Sequence, residues 1–359
     1  MKMKRPLPVW ALVLTDIRLT GVLLVVFAYF HHVRPVDEES EGIIVERPVE
    51  TAAPAPTQET AYVMPTQPAV SVAPAATATP FVDNEPDVKG SFIHKFADKF
   101  TSGEVIETEE NGIYTYKSAN LNIKITPDTY EFPYYDSTAK ANYYFVDFYV
   151  SDVACISTCL AKDKFGSGYH EWLSDMAKRT GAIVAVNGDY YGMRENGVVI
   201  RNGEVYRTKH STFDACALYW DGSMETFASK DWTADKLIKK GAYQAWSFGP
   251  QLLDGNGEPC KKFNATDAVL KRNPRTAIGY FEPGHYCFVV VDGRSDESFG
   301  VTMQALAELM QSLGCKCAYN LDGGQTSSLT WRDKVINDVY KGGRKISDGI
   351  MLLDIGREV

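Results

Sequence analysis

Hydrophobic and polar positions change rhythm twice along this chain, dividing it into three stretches. Residues 9–30 are almost wholly apolar, interrupted by Asp16 and Arg18 and preceded by Lys2, Lys4 and Arg5. An apolar run of about 20 residues behind a positive flank predicts a transmembrane signal anchor that leaves the bulk of the chain outside the cytoplasm. Residues 35–90 lose all periodicity, with Pro54, Pro56, Pro65, Pro68, Pro74, Pro80 and Pro86 set among Ala, Thr, Val and acidic residues. That composition predicts a semi-extended, unpacked linker. The expected organisation is therefore a stub and anchor over 1–34, a linker over 35–90 and a globular domain over 91–359.

Within the domain, period-two alternation dominates. Residues 112–127 and 143–150 read as strands, the second rich in aromatic residues. Asn202-Gly203 and Asp221-Gly222 each sit between short apolar runs, which predicts two hairpins. Helical spacing occurs in three places: around Trp172, Leu173, Met176 and Ala177 before Gly181; over 233–240; and along Met303, Leu306, Met310 and Leu313, with Thr302 as N-cap. The strand 287–291, that last helix and the strand 316–321 form a βαβ unit, which predicts two parallel strands in one sheet. Many strands, few helices and several hairpins give an α+β class built on a mixed β-sheet.

Charge and cysteines narrow the chemistry. A net charge of -9 without a basic stripe excludes non-specific nucleic-acid binding. The seven cysteines lack the paired spacing of a zinc site and read mainly as small buried hydrophobes.

Three apolar strands end in polar clusters: Asn187-Gly-Asp189, Asp292-Gly-Arg294 and Asn320-Leu-Asp322. Asn, Asp and Gly are common turn formers, but three such junctions after buried strands predict one cleft. Its amide and carboxylate pairs could hold sugar hydroxyls, a hard cation such as Ca2+ or Mg2+, or a leaving group that needs a proton. Arg275 and Arg294 carry guanidinium forks suited to phosphate or carboxylate, and Arg294 precedes a helix start. Thr326, Ser327 and Ser328 do not make a serine hydrolase, because Gly-x-Ser-x-Gly is absent and no histidine is placed as a base.

The ordered motifs Asn187-Gly-Asp-Tyr-Tyr191, Phe248-Gly-Pro-Gln-Leu-Leu253, Asn273-Pro-Arg-Thr-Ala-Ile-Gly279, Val291-Asp-Gly-Arg294 and Asn320-Leu-Asp-Gly-Gly324 together resemble the phosphodiester glycosidase domain family. The resemblance implies hydrolysis of a sugar-1-phosphodiester to free sugar and a phosphomonoester. It makes Asp189, Asp292 and Asp322 the expected acid, base or stabilising carboxylates, and Arg275 and Arg294 the expected phosphate ligands. Asn187, Asn320, Gly323, Gly324, Gln325, Thr326 and Ser327 would line the substrate site. Gln325 and Thr326 replace a Gly and a Ser of the usual pattern, so a side chain stands where that loop is normally bare. The expected substrate is a carbohydrate or sugar-phosphate polymer, met by a single-pass membrane protein with its domain outside the cytoplasm. A glycan-binding module without catalysis is the alternative use of the same cleft.

Overall fold

A computed structural model describes residues 9–28, 35–48, 91–135 and 137–355. Helix α1 covers Val9–Ala28, and its side chains from Ile17 to Phe27 are exposed. Among the described residues, no helix is long and apolar enough to cross a membrane. The remainder of the expected anchor lies outside the described residues.

The strands in chain order are β1 Val36–Asp37, β2 Ile43–Ile44, β3 Ile106–Glu110, β4 Ile113–Lys117, β5 Leu121–Tyr134, β6 Ser137–Val150 and β7 Ile156–Leu160. They continue with β8 Gly166–Ser167, β9 Val184–Asn187, β10 Val199–Arg201, β11 Glu204–Arg207, β12 Ala215–Tyr219, β13 Met224–Phe227 and β14 Ala242–Trp246. The last are β15 Arg275–Glu282, β16 His285–Val291, β17 Cys317–Asn320, β18 Leu329–Trp331, β19 Lys334–Val335 and β20 Asp348–Leu352. Four further helices are α2 Leu173–Thr180, α3 Ala234–Lys240, α4 Asp267–Leu270 and α5 Met303–Ser312.

Three sheets result, ordered β13-β12-β14-β10-β11-β2, β17-β15-β16-β6-β5-β4-β3 and β19-β18-β9-β20-β7, with β1 and β8 forming a separate pair. Inner faces of all three meet in one core, where Phe148, Phe288 and Tyr319 of the seven-stranded sheet join Val184, Val186 and Ile350 of the five-stranded sheet and Leu218 and Trp246 of the six-stranded sheet. Each outer face carries one helix. Met303, Leu306 and Met310 of α5 cover Ala277, Val289 and Val291; Leu237 of α3 covers Ala217 and Ala245; Leu173, Met176 and Ala177 of α2 cover Ala185 and Met351. Strand alternation makes this possible, since Val184 and Val186 face inward while Ala185 faces α2. Each fully buried Leu or Met on these helices contributes roughly 1.5–3 kcal/mol.

The mixed α+β class is thus correct, as are both hairpin turns and the Thr302 cap, whose hydroxyl accepts from Ala305 N at 3.1 Å. The βαβ expectation changes in one respect. β16 and β17 are parallel, but β15 lies between them, antiparallel to both. Residues 35–48, expected to belong to the linker, pack against the domain instead. β1 pairs with β8 and β2 with β11, Val45 is buried, and Trp220 Nε1 donates to Val45 O at 2.6 Å. Residues 49–90 lie outside the described residues. All seven cysteines are buried free thiols; Cys155 closes a 3-10 turn just before β7, and Cys159 lies within that strand.

Candidate active site

The sheets meet at one set of strand ends. Asn187 closes β9, Asn320 closes β17, Asp292 follows β16, and Ser247 follows β14. The backbone joins the first two junctions directly, because Asp322 N donates to Gly188 O at 3.2 Å.

Asn187 is the hub of this meeting point. Its Nδ2 donates to Asp322 O at 2.7 Å, while its Oδ1 accepts from Thr276 Oγ1 at 2.7 Å and from Ser328 N at 3.2 Å. One buried amide therefore ties β9, β15 and the 322–328 loop together. Asn320 donates to Gly249 O at 2.8 Å, and its Oδ1 is buried without a hydrogen-bond partner, as is Ser327 Oγ.

The three expected carboxylates have different surroundings. Asp189 is buried; Tyr191 N and Ser247 N donate to it at 2.9 and 3.2 Å, and Arg201 Nη2 stands 3.1 Å from Oδ1. Arg201 also holds Asp348 Oδ2 at 2.9 Å through Nε and donates to the carbonyls of Ile200 and Ala245. This makes a buried Asp189–Arg201–Asp348 triad. Burial raises the Asp348 carboxyl against the pull of Arg201. Asp348 fills the space beside Gly188, where an added Cβ would meet its Oδ1 at 2.4 Å.

Asp322 is buried, its side chain 12% exposed. Its Oδ1 accepts from Gly323 N at 2.9 Å and Oδ2 from Arg344 Nη2 at 3.2 Å. Burial raises its carboxyl, with the Arg344 charge opposing. Asp292 accepts from Asn337 Nδ2 at 2.8 Å through Oδ1. Burial pushes Asp292 up to about 6, partly offset by the Asn337 bond. Asn337 Nδ2 also reaches Ser327 O at 3.1 Å, so it links Asp292 to the glycine loop. With β15 between their strands, Asp292 and Asp322 start from strand ends roughly 10 Å apart.

The loop itself explains its glycines. Gly324 sits at φ 71°, and a Cβ there would press to 3.3 Å on the Arg294 guanidinium; a Cβ on Gly323 would meet Pro274 O at 2.9 Å. Thr326 Oγ1 donates to Gly323 O at 2.9 Å and locks the turn. Gln325 does not fill the cleft: its Nε2 donates to Gly343 O at 2.9 Å, stitching this loop to the one that carries Arg344.

The expected phosphate ligands diverge. Arg294 is exposed beside the loop, 2.6 Å from Asn273 Oδ1 through Nη2 and 5.2 Å from the Tyr340 ring. Arg275 is different from expectation. It opens β15 with Thr276, not itself, directed at Asn187, and its guanidinium donates to the carbonyls of Val269, Lys271 and Val301. Period-two alternation turns Arg275 away, and it braces the 269–273 segment.

Sequence reasoning missed Asp348, Asn337 and Arg344. Each lies outside an apolar-strand-then-polar junction; only Gly342-Gly343 before Arg344 signals a backbone close to other chain. Among the described residues, no three His, Cys, Asp or Glu side chains group to hold a metal ion. The donor set fits this, since Asp189 is committed to N–H donors and Asp322 to Gly323 N and Arg344.

Residues 180–353 match the family described as phosphodiester glycosidase. A prophage-derived uncharacterized protein of Bacillus subtilis (strain 168) is 33% identical over 186 residues, covering 50% of this chain and 29% of that relative. The chain thus corresponds to less than a third of the relative's length. The catalytic domain of zebrafish N-acetylglucosamine-1-phosphodiester alpha-N-acetylglucosaminidase, solved auto-inhibited by its pro-peptide, superposes with a TM-score of 0.53 at 17% identity, covering 64% of this chain and 83% of that one. A hypothetical protein from Synechocystis gives 0.50 at 13% identity, over 70% of this chain and 64% of its own. The structural likenesses speak to fold alone, while in sequence residues 180–353 are similar to the phosphodiester glycosidase family.

Proposed function

We propose that this domain hydrolyses sugar-1-phosphodiesters, with a cell-wall polymer or exopolysaccharide as the source of substrate. The observation that carries the reading is the pair of unequal carboxylates on either side of the glycine loop. Asp292, raised to about 6 by burial, keeps a protonated fraction near neutral pH and suits a proton donor. Asp322, held by Arg344, suits stabilisation of positive charge developing at the anomeric carbon. In the overall step the anomeric C–O bond breaks, water adds to the anomeric carbon, and the oxygen that leaves stays with phosphorus as a phosphomonoester. Asp189 has a positioning role in this reading, because its oxygens are committed to Tyr191, Ser247 and Arg201. Asn187, Asn320, Gly323, Gly324, Thr326 and Ser327 form the wall against which the sugar would lie.

Placement outside the cytoplasm on a membrane belongs to the same proposal and is supported by the basic flank and apolar run of residues 2–30. One preparation tests both parts. The full chain should sediment with membranes after alkaline washing and release free sugar from a sugar-1-phosphodiester. Asp322→Asn should sediment equally and lose at least about a hundredfold in kcat. Equal turnover by Asp322→Asn removes that residue from the mechanism, and glycan binding without product from the unaltered chain would favour a binding module.

A further inference from the structure

The arginines around these strand ends differ in what occupies their donors. Arg201 is spent on carboxylates and carbonyls, and Arg275 on carbonyls. Arg207 donates to the carbonyls of Gly197, Tyr191 and Arg194. Arg194 stands apart from all three. Among the described residues its guanidinium makes a single hydrogen bond, Nη1 to Ser247 O at 3.3 Å.

What holds Arg194 is aromatic. Its guanidinium carbon lies 3.7 Å from the centroid of the Phe213 ring, 4.9 Å from Phe248 and 5.7 Å from Tyr190. Rings take the face of a guanidinium and leave its in-plane N–H groups free. The side chain is thereby fixed without spending its donors, which is the arrangement that lowers the cost of binding an oxyanion. Burial works against its charge, and the nearby Asp189 and Asp322 support it. A second guanidinium, Arg344, lies 5.4 Å from the same Tyr190 ring and also holds Asp322 at 3.2 Å. One phenol ring thus contacts two arginines, and Asp322 supports the charge of Arg194 and pairs with Arg344.

We infer that Arg194 and Arg344, both held against the Tyr190 ring, grip the phosphoryl group of the substrate. The inference rests on the hydrolase reading for the identity of the anion and replaces Arg275 in that role. An anion bound by these two forks would lie close to Asp322, where the bond to the sugar would break, and their planar donors match phosphoryl oxygens in pairs.

Calorimetry on the full chain separates this from the hydrolase reading, because binding needs no turnover. The probes are α-glucose-1-phosphate, inorganic phosphate, glucose and glucuronate. Arg194→Met should weaken glucose-1-phosphate roughly 10- to 100-fold and leave glucose unchanged, with Arg194→Lys intermediate. Arg344→Gln, whose side chain is 43% exposed and outside the ring cage, should weaken it roughly threefold or more, and decides the matter if Arg194→Met does not fold. Undiminished phosphate binding by the folded variants, no preference of the unaltered chain for the phosphorylated sugar, or a loss confined to glucuronate would each overturn the clamp. Cleavage of diesters with unchanged KM in both variants would sink the clamp and leave the hydrolase standing. Arginine-dependent binding of glucose-1-phosphate with no diester ever cleaved would do the reverse.

Discussion

At the scale of single residues, Asp292 carries the clearest pH signature. Its carboxyl sits near 6 in the folded protein against 3.8 ordinarily, so the folded state holds a proton that the unfolded state has already released. Its contribution to stability is therefore complete below about pH 4 and is lost as pH rises through 6. The loss amounts to about 3 kcal/mol at most. Asp292→Asn keeps an oxygen to accept from Asn337 and has no charge to bury. Chemical denaturation should find the variant about 1–3 kcal/mol more stable than the parent at pH 8 and indistinguishable at pH 4; a constant difference across that range would refute the assignment. Gln325 teaches the complementary lesson. The sequence located it as the departure from the family pattern, but only the fold could reveal that its amide is turned to Gly343 rather than into the cleft.

At the scale of elements, local chemistry was legible wherever it was local. Asn202-Gly203 and Asp221-Gly222 made hairpins because their turns need residues that accept positive φ, as Asn202 and Gly203 do at 53° and 82°. Capping by Thr302 followed from the N-cap preference for hydroxyls, whereas Thr233, read as the first residue of its helix, caps it instead. What stayed hidden was how elements distant in sequence associate. The site is completed by Asp348 at the start of β20 and Arg201 at the end of β10, paired across 147 residues. Nothing in a linear pattern encodes that contact. Its energetic role is testable, because Arg201 balances two wholly buried carboxylates. Arg201→Met leaves Asp189 and Asp348 without a counter-charge and should cost about 3–5 kcal/mol in a urea titration. A change below 1 kcal/mol would show that the triad does not hold β10, β20 and the 187–189 junction together.

At the scale of the whole molecule, the boundary of the domain is the feature that composition hid. Residues 35–48 are polar and short of periodicity, so they read as the start of a linker; yet they add edge strands β1 and β2 and bury Val45 under the rim of the six-stranded sheet. Arg47 pairs with Asp152 at 2.7 Å and Tyr169 OH donates to Asp37 at 2.5 Å, so the strap touches loops on two sides of the domain. Ordering these residues costs roughly 1–2 kcal/mol each, and the half-buried ion pair returns less than about 1 kcal/mol. Backbone pairing to two sheet edges and the burial of Val45 must supply most of the balance, and the net gain is therefore modest. A fragment over 35–359 should melt about 2–6 °C above one over 91–359, the shift expected when about 1–2 kcal/mol is spread over a domain this large. A synthetic peptide of residues 35–48, added in excess to the shorter fragment, should recover part of that difference, while a peptide with Val45→Asp should not, because its carboxylate would have to enter an apolar pocket unpaired. Identical melting of the two fragments would make the strap an ornament of the surface; a difference erased by the peptide would make it the true N-terminal edge of the domain.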